Sequence, residues 1–186
     1  FMAMDLWHGG LPGFANLLTN RYLDVTGQED GMPLIPVFTA LRAAVRAHVT
    51  ATQSMGAAPE KRAELRAAAR AYGDLAHAIL APRAPRLVAL GGFSGSGKST
   101  VAEALAPGLG APPGARILES DRIRKALFGM PPEARLPDTA YAPEVSGTVY
   151  GRLAERAQAL VAGGASVVAC AVFDRPERRA AMADAA

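Results

Sequence analysis

Large apolar residues recur at three- and four-residue steps in the first eighty positions. Leu34, Val37, Phe38, Leu41, Val45 and Val49 form one such series behind Pro33, which marks a helix start. A second series follows Pro59-Glu60 and puts Leu65, Ala69, Tyr72, Leu75, Ala76 and Ile79 on one side of a helix. Ser54 to Ala58 reads as a loop, so two long antiparallel helices joined by a short turn are the simplest arrangement. In Ala81-Pro82-Arg83-Ala84-Pro85-Arg86 two prolines lack amide donors and end any helix. Beyond them the period changes. Leu87-Val88-Ala89-Leu90 is a short continuous apolar run, the pattern of a parallel strand buried on both faces, and Arg116 to Glu119 and Ser166 to Val172 are two more strand candidates. Pro143 to Ala162 reads as a helix with Val145, Val149, Leu153, Leu160 and Val161 inward, closed by Gly163-Gly164. Strands alternating with helices predict an α/β fold, a parallel sheet with flanking helices, preceded by an α-helical segment. The expected division is a helical part at 1–81, a linker at 82–86 and the α/β domain at 87–186.

Composition narrows the class. The chain has 186 residues, half of them hydrophobic and 20% charged, which suits one globular domain or parts of two and excludes extended disorder. Its net charge is +3, but 17 of its 20 cationic residues are arginines scattered among acidic neighbours, and aromatics make up only 6%. That is a solvated-face pattern, so a nucleic-acid partner is not expected. The single cysteine, Cys170, excludes an internal disulfide framework and suits a reducing cytoplasm. Even Ala159 to Val172 is too short for a membrane span and is broken by Gly163, Gly164 and Ser166. Phe1 to Gly10 has no basic stretch ahead of an apolar one, so no secretory signal is expected. The chain opens on Phe1 and stops at Ala185-Ala186 inside a helical pattern, so both ends look cut.

The decisive chemistry lies in Gly92-Phe93-Ser94-Gly95-Ser96-Gly97-Lys98-Ser99-Thr100, which fits G-x-x-x-x-G-K-[ST] between a predicted strand and a predicted helix. Glycines let backbone amides converge on a polyphosphate without Cβ obstruction, and the helix starting near Gly97 adds its positive end. Lys98 would set a point charge on the β- and γ-phosphates of ATP, and the Ser99 hydroxyl would ligate Mg²⁺. Thr100 reads as a helix residue more than a ligand. With three lysines in the whole chain, a chance match is rare. The pattern marks the fold as that of a P-loop NTPase.

Downstream, the second strand ends in Glu119-Ser120-Asp121, followed by Arg122-Ile123-Arg124-Lys125. Residues just past strand ends face the ligand crevice of an open parallel sheet, so Asp121 is expected near the γ-phosphate, as base for a substrate hydroxyl or as a holder of Mg²⁺ through water. Ser120 or Asp121 can equally serve as a helix cap, and the two roles are compatible. Arg122 and Arg124 are candidates to touch substrate. The third strand carries Cys170 where a metal-handling carboxylate is expected, leaving Asp174 as a displaced substitute. Cys170 itself reads as a small hydrophobe. Arg175 and Arg178 read as solvated helix-start residues, and His8, His48 and His77, without ligand spacing, as structural.

Leu90 to Thr100 with Ser120 to Lys125, Leu136-Pro137, Tyr141 to Ser146 and Val172 to Arg178 resembles the P-loop kinase-like half of a bacterial two-domain family, in which it follows an aminoglycoside-phosphotransferase-like domain. That half is also known as an AAA-family ATPase, and its pattern is closer to gluconate-kinase-like and zeta-toxin-like small kinases. Met2 to Leu6, Asn20-Arg21-Tyr22 and Thr26-Gly27 are similar to the tail of the phosphotransferase-like half. The resemblance implies Gly92 to Thr100 as the ATP phosphate site, Asp121 as the catalytic or substrate-side acid, and a small hydroxyl compound as phosphoryl acceptor. It also implies aspartate where this chain has Cys170. The phosphotransferase half's catalytic loop would lie upstream of Phe1, and the later strands and arginine-bearing lid beyond Ala186.

Overall fold

The computed structural model describes residues 2–186. They form two compact units, one comprising the described residues through Arg83 with Ala111–Pro113, the other Ala84–Gly110 with Gly114–Ala186.

The first unit is helical: α1 (Met2–His8), α2 (Pro12–Thr26), α3 (Ile35–Met55) and α4 (Pro59–Leu80). Pro12, Pro36 and Pro59 each sit in a first turn, where the missing amide costs nothing. The short connection after Met55 folds α4 back on α3. The inner side of α4 is the one its periodicity predicts, with Ala69 and Ile79 buried and Leu65, Tyr72, Leu75 and Ala76 partly so. For α3 the expectation fails. Its large apolar series faces solvent, Phe38 being 64% exposed and Leu41 58%, while Thr39, Ala40, Ala43, Thr50 and Ser54 are buried. Small side chains let α3 approach its neighbours closely, and that seam wins over the larger residues opposite. The outward residues are not all bare. Ile35, Phe38, Leu41 and Val45 line, with Met4 of α1, an apolar groove of about 430 Å³. No described helix is long and apolar enough to cross a membrane.

The second unit is an α/β layer structure: β1 (Leu87–Gly91), α5 (Lys98–Leu105), β2 (Arg116–Glu119), α6 (Ser120–Leu127), α7 (Pro143–Ala162), β3 (Val167–Ala171) and α8 (Pro176–Asp184). The three strands are parallel, in the order β1-β3-β2. This is the P-loop NTPase architecture predicted above. β3 is central and buried throughout. Its even positions Val168 and Cys170 pack with Ile117, Val88 and Leu90 against Ala102 and Ala106 on the α5 side. The opposite side of the sheet is covered by α7, whose Val149, Leu153, Ala157 and Leu160 are buried. Each fully buried aliphatic side chain of this kind contributes about 1.5–3 kcal/mol.

β1 departs from the buried-on-both-faces expectation. Ala89 and Gly91 are exposed, and among the described residues no strand pairs with its outer edge. An apolar run of this length is also what an edge strand with one covered face presents.

Candidate phosphate-binding site

Between β1 and α5 the chain turns through Gly92, Gly95 and Gly97, all at positive φ (156°, 75° and 82°). Only glycine reaches such angles without strain. Gly92 is constrained in space as well, because a Cβ there would lie 2.8 Å from the Ser96 Oγ. The Ser96 amide donates to the Phe93 carbonyl at 3.2 Å, and α5 begins immediately after Gly97. Helix geometry leaves the first-turn amides of α5 without partners in the helix, and Ser94 to Gly97, Ser99 and Thr100 are exposed. The Lys98 ammonium lies against the loop, donating to the carbonyls of Gly92 (2.8 Å) and Phe93 (2.7 Å).

One turn into α5, the Ser99 hydroxyl donates to Glu119 Oε1 at 2.5 Å, and the other carboxylate oxygen takes the Arg122 Nε at 2.5 Å. Parallel register explains the meeting. Leu90 and Glu119 both pair with Cys170, so the three stand in one row across the sheet, on the face that packs against α5. Glu119 is the only charged member of that row. Burial pushes the Cys170 thiol up to about 12; the Glu119 carboxylate adds to this and the Lys98 ammonium opposes it. Cys170 therefore remains a protonated thiol at neutral pH, as its reading as a small hydrophobe requires.

The other residues singled out in the sequence are spread more widely. Asp121, 57% exposed at its side chain, is in the first turn of α6 and pairs with Lys125 at 2.8 Å, one helical turn along. No side-chain cap bond starts α6. Arg122 is engaged with Glu119. Arg124 is buried, donating to the Ala140 carbonyl and the Ser146 hydroxyl and lying 5.0 Å from the Tyr141 ring centre, so it ties α6 to the start of α7. Past β3, Phe173 adopts a positive φ of 50°, a costly conformation for a residue with a Cβ. Its amide is held by the Tyr150 hydroxyl and its carbonyl by Arg179. Asp174 beyond it pairs with Arg178 at 2.6 Å, and Arg178 also covers the Tyr150 ring at 4.0 Å. Partial burial works to raise the Asp174 carboxyl, but the Arg178 hydrogen bond and charge outweigh it and hold the group below its ordinary value. His8 stacks on Tyr72 at 3.9 Å.

Sequence reasoning passed over Glu119 as a strand end. The signal was present: alternation from Ile117 puts Glu119 on the α5 face, two residues on. The donor set fits a polyphosphate with a hydrated hard cation. Among the described residues no three His, Cys, Asp or Glu side chains gather as a cage, whereas Mg²⁺ keeps its waters and takes few protein ligands beside substrate phosphates.

A protein-family model described as an AAA domain matches residues 87–186, more than half of the chain. The chain belongs to the AAA domain family. Its AAA domain is of the P-loop nucleotide-binding, kinase-like kind. Among curated proteins the chain is similar to uncharacterized proteins of Mycobacterium bovis and of two strains of Mycobacterium tuberculosis, 29% identical over 187 aligned residues in each case. Those alignments cover 97% of this chain, AAA domain and helical unit together, but only 35% of each relative. The chain thus spans about a third of the length of the curated relatives it matches. No solved structure matches it.

Proposed function

We propose that the AAA domain binds Mg²⁺-ATP at the Gly92 to Thr100 loop and that the whole protein transfers the γ-phosphoryl group to a small hydroxyl substrate. The observation that carries the reading is the loop itself: three glycines at positive φ, an ammonium at its base and a hydroxyl on a carboxylate one residue later. Amides of the loop and of the first turn of α5 would bind the phosphates, and Lys98 would exchange its two carbonyl partners for phosphate oxygens. Mg²⁺, when bound, supplies charge to offset that developing on the transferred group, and Ser99 is its direct protein ligand in this reading. In the transfer, the acceptor oxygen bonds to the γ-phosphorus, the bond to the β–γ bridging oxygen breaks, and ADP leaves with its electron pair. Asp121 takes the acceptor's proton, with Lys125 holding its carboxylate in place.

The helical unit is proposed as the C-terminal part of a phosphotransferase-like domain, on the resemblance of its first 27 residues and on the greater length of the relatives. The buried free thiol suits a cytoplasmic setting.

Titrating the chain with a fluorescent ATP analogue in the presence of Mg²⁺ tests the binding step. Lys98→Ala removes charge-assisted hydrogen bonds worth about 1.5–3 kcal/mol, so affinity is expected to fall about 10- to 150-fold. Equal affinity in the two proteins overturns the reading. A second reading, binding without transfer, is favoured by the thiol at the β3 position where a carboxylate is expected. Assaying γ-phosphoryl transfer to a panel of small alcohols and sugars, with a protein of the relatives' length, separates the two.

A further inference from the structure

Kinase-like P-loop chemistry needs a carboxylate beside the loop serine, and β3 does not supply one here. Cys170 fills that place, and Asp174, past the strained turn at Phe173, is committed to Arg178. We infer that Glu119, at the end of β2, is the carboxylate that serves the divalent cation of this site, holding the Ser99 hydroxyl so that its oxygen lone pairs face the metal. The inference rests on the nucleotide-binding reading above and deepens it.

Three observations carry it. Glu119 Oε1 accepts the Ser99 hydroxyl hydrogen at 2.5 Å. A hydroxyl has one hydrogen and two lone pairs, so giving the hydrogen to Glu119 fixes where the lone pairs point. Next, Glu119 shares the row of Cys170 on the α5 face of the sheet, so the charge missing from β3 stands in the same row one strand away, a step of about 4.8 Å. Finally, Arg122 grips the second oxygen at 2.5 Å, fixing the carboxylate's orientation. A carboxylate held beside a ligating group, reaching the ion through that group or through water, is the arrangement by which outer-shell partners tune metal affinity.

The sign of the charge gives a test that a merely structural role fails. With no metal present, Glu119 repels a triphosphate; with metal present, it attracts the complex. Glu119→Gln keeps the size of the side chain and an oxygen acceptor for Ser99 but removes the charge. Binding of the fluorescent ATP analogue is measured at fixed ionic strength, in EDTA and across a Mg²⁺ titration, with far-UV circular dichroism as the check on folding. The expected result is an unchanged or tighter affinity in EDTA, together with a half-saturating Mg²⁺ concentration raised about 10- to 100-fold. Equal weakening with and without Mg²⁺, or an unchanged Mg²⁺ requirement, overturns the assignment while leaving nucleotide binding standing. Failure of the wild-type chain to bind the analogue at all overturns both.

A measurement on the wild-type chain covers the case in which the variant does not fold. With ATP present, substoichiometric Mn²⁺ should broaden the amide resonances of Ser99 and Glu119 before that of Asp174. Broadening that reaches Asp174 first overturns the assignment.

Discussion

At the scale of single residues, the thiol of Cys170 gives a reading independent of any ligand. At pH 8 a group titrating near 12 is ionised in about one molecule in ten thousand, against roughly a quarter for an ordinary exposed thiol near 8.5. Alkylation by iodoacetamide is therefore expected to run more than about a thousandfold slower in the folded chain than in denaturant. Comparable rates would place the thiol at the surface. The linkage has a definite sign. The folded state holds this proton more tightly than the unfolded one, so the thiol's contribution is fully present below about 8.5 and is lost as pH climbs toward the folded value. Cys170 could be read from the sequence as a buried hydrophobe, because it lies in an unbroken apolar run. Glu119 could not be read so directly. Its partners Ser99 and Cys170 are 20 residues before it and 51 after it, and only the pairing of β2 with β3 shows that they meet. The environment of Arg124 was equally hidden, since the carbonyl it holds belongs to an irregular turn 16 residues away.

At the scale of elements, legibility followed the strength of the punctuation. The limits of β2 and α7 follow from the sequence alone, α7 because Pro143 opens it and Gly163-Gly164 close it. The facing of α3 was misread for a physical reason: hydrophobicity ranks Phe38 and Leu41 above Ala40 and Ala43, whereas close helix packing ranks small size first. The consequence is measurable. Ala43→Leu forces extra methylenes into a fully buried position and is expected to cost about 1–3 kcal/mol by urea denaturation. Leu41→Ser, on the solvent side, is expected to stay within about 1 kcal/mol of wild type, the remaining loss coming from the groove it partly lines. The reverse order of the two effects would show that the large residues, not the small ones, hold the helix in place.

At the scale of the whole molecule, the segment 82–86 between α4 and β1 has no regular structure and is exposed throughout. Trypsin under native conditions is expected to cut first after Arg83 or Arg86, and initial cleavage inside α4 or α7 would count against a boundary there. The P-loop unit was the more legible of the two, because a glycine-rich turn between a strand and a helix is written in fixed spacing. The helical unit carries no such motif, and the identity proposed for it rests on resemblance alone. The outer edge of β1, unpaired among the described residues, has one further consequence. Leu87–Gly91 contains no charge and no proline, the usual guards against stray pairing, so its backbone amides and carbonyls form an adhesive border. Concentrated solutions of the chain will be governed by how that border is capped, and an added lysine at Ala89 is the simplest way to blunt it.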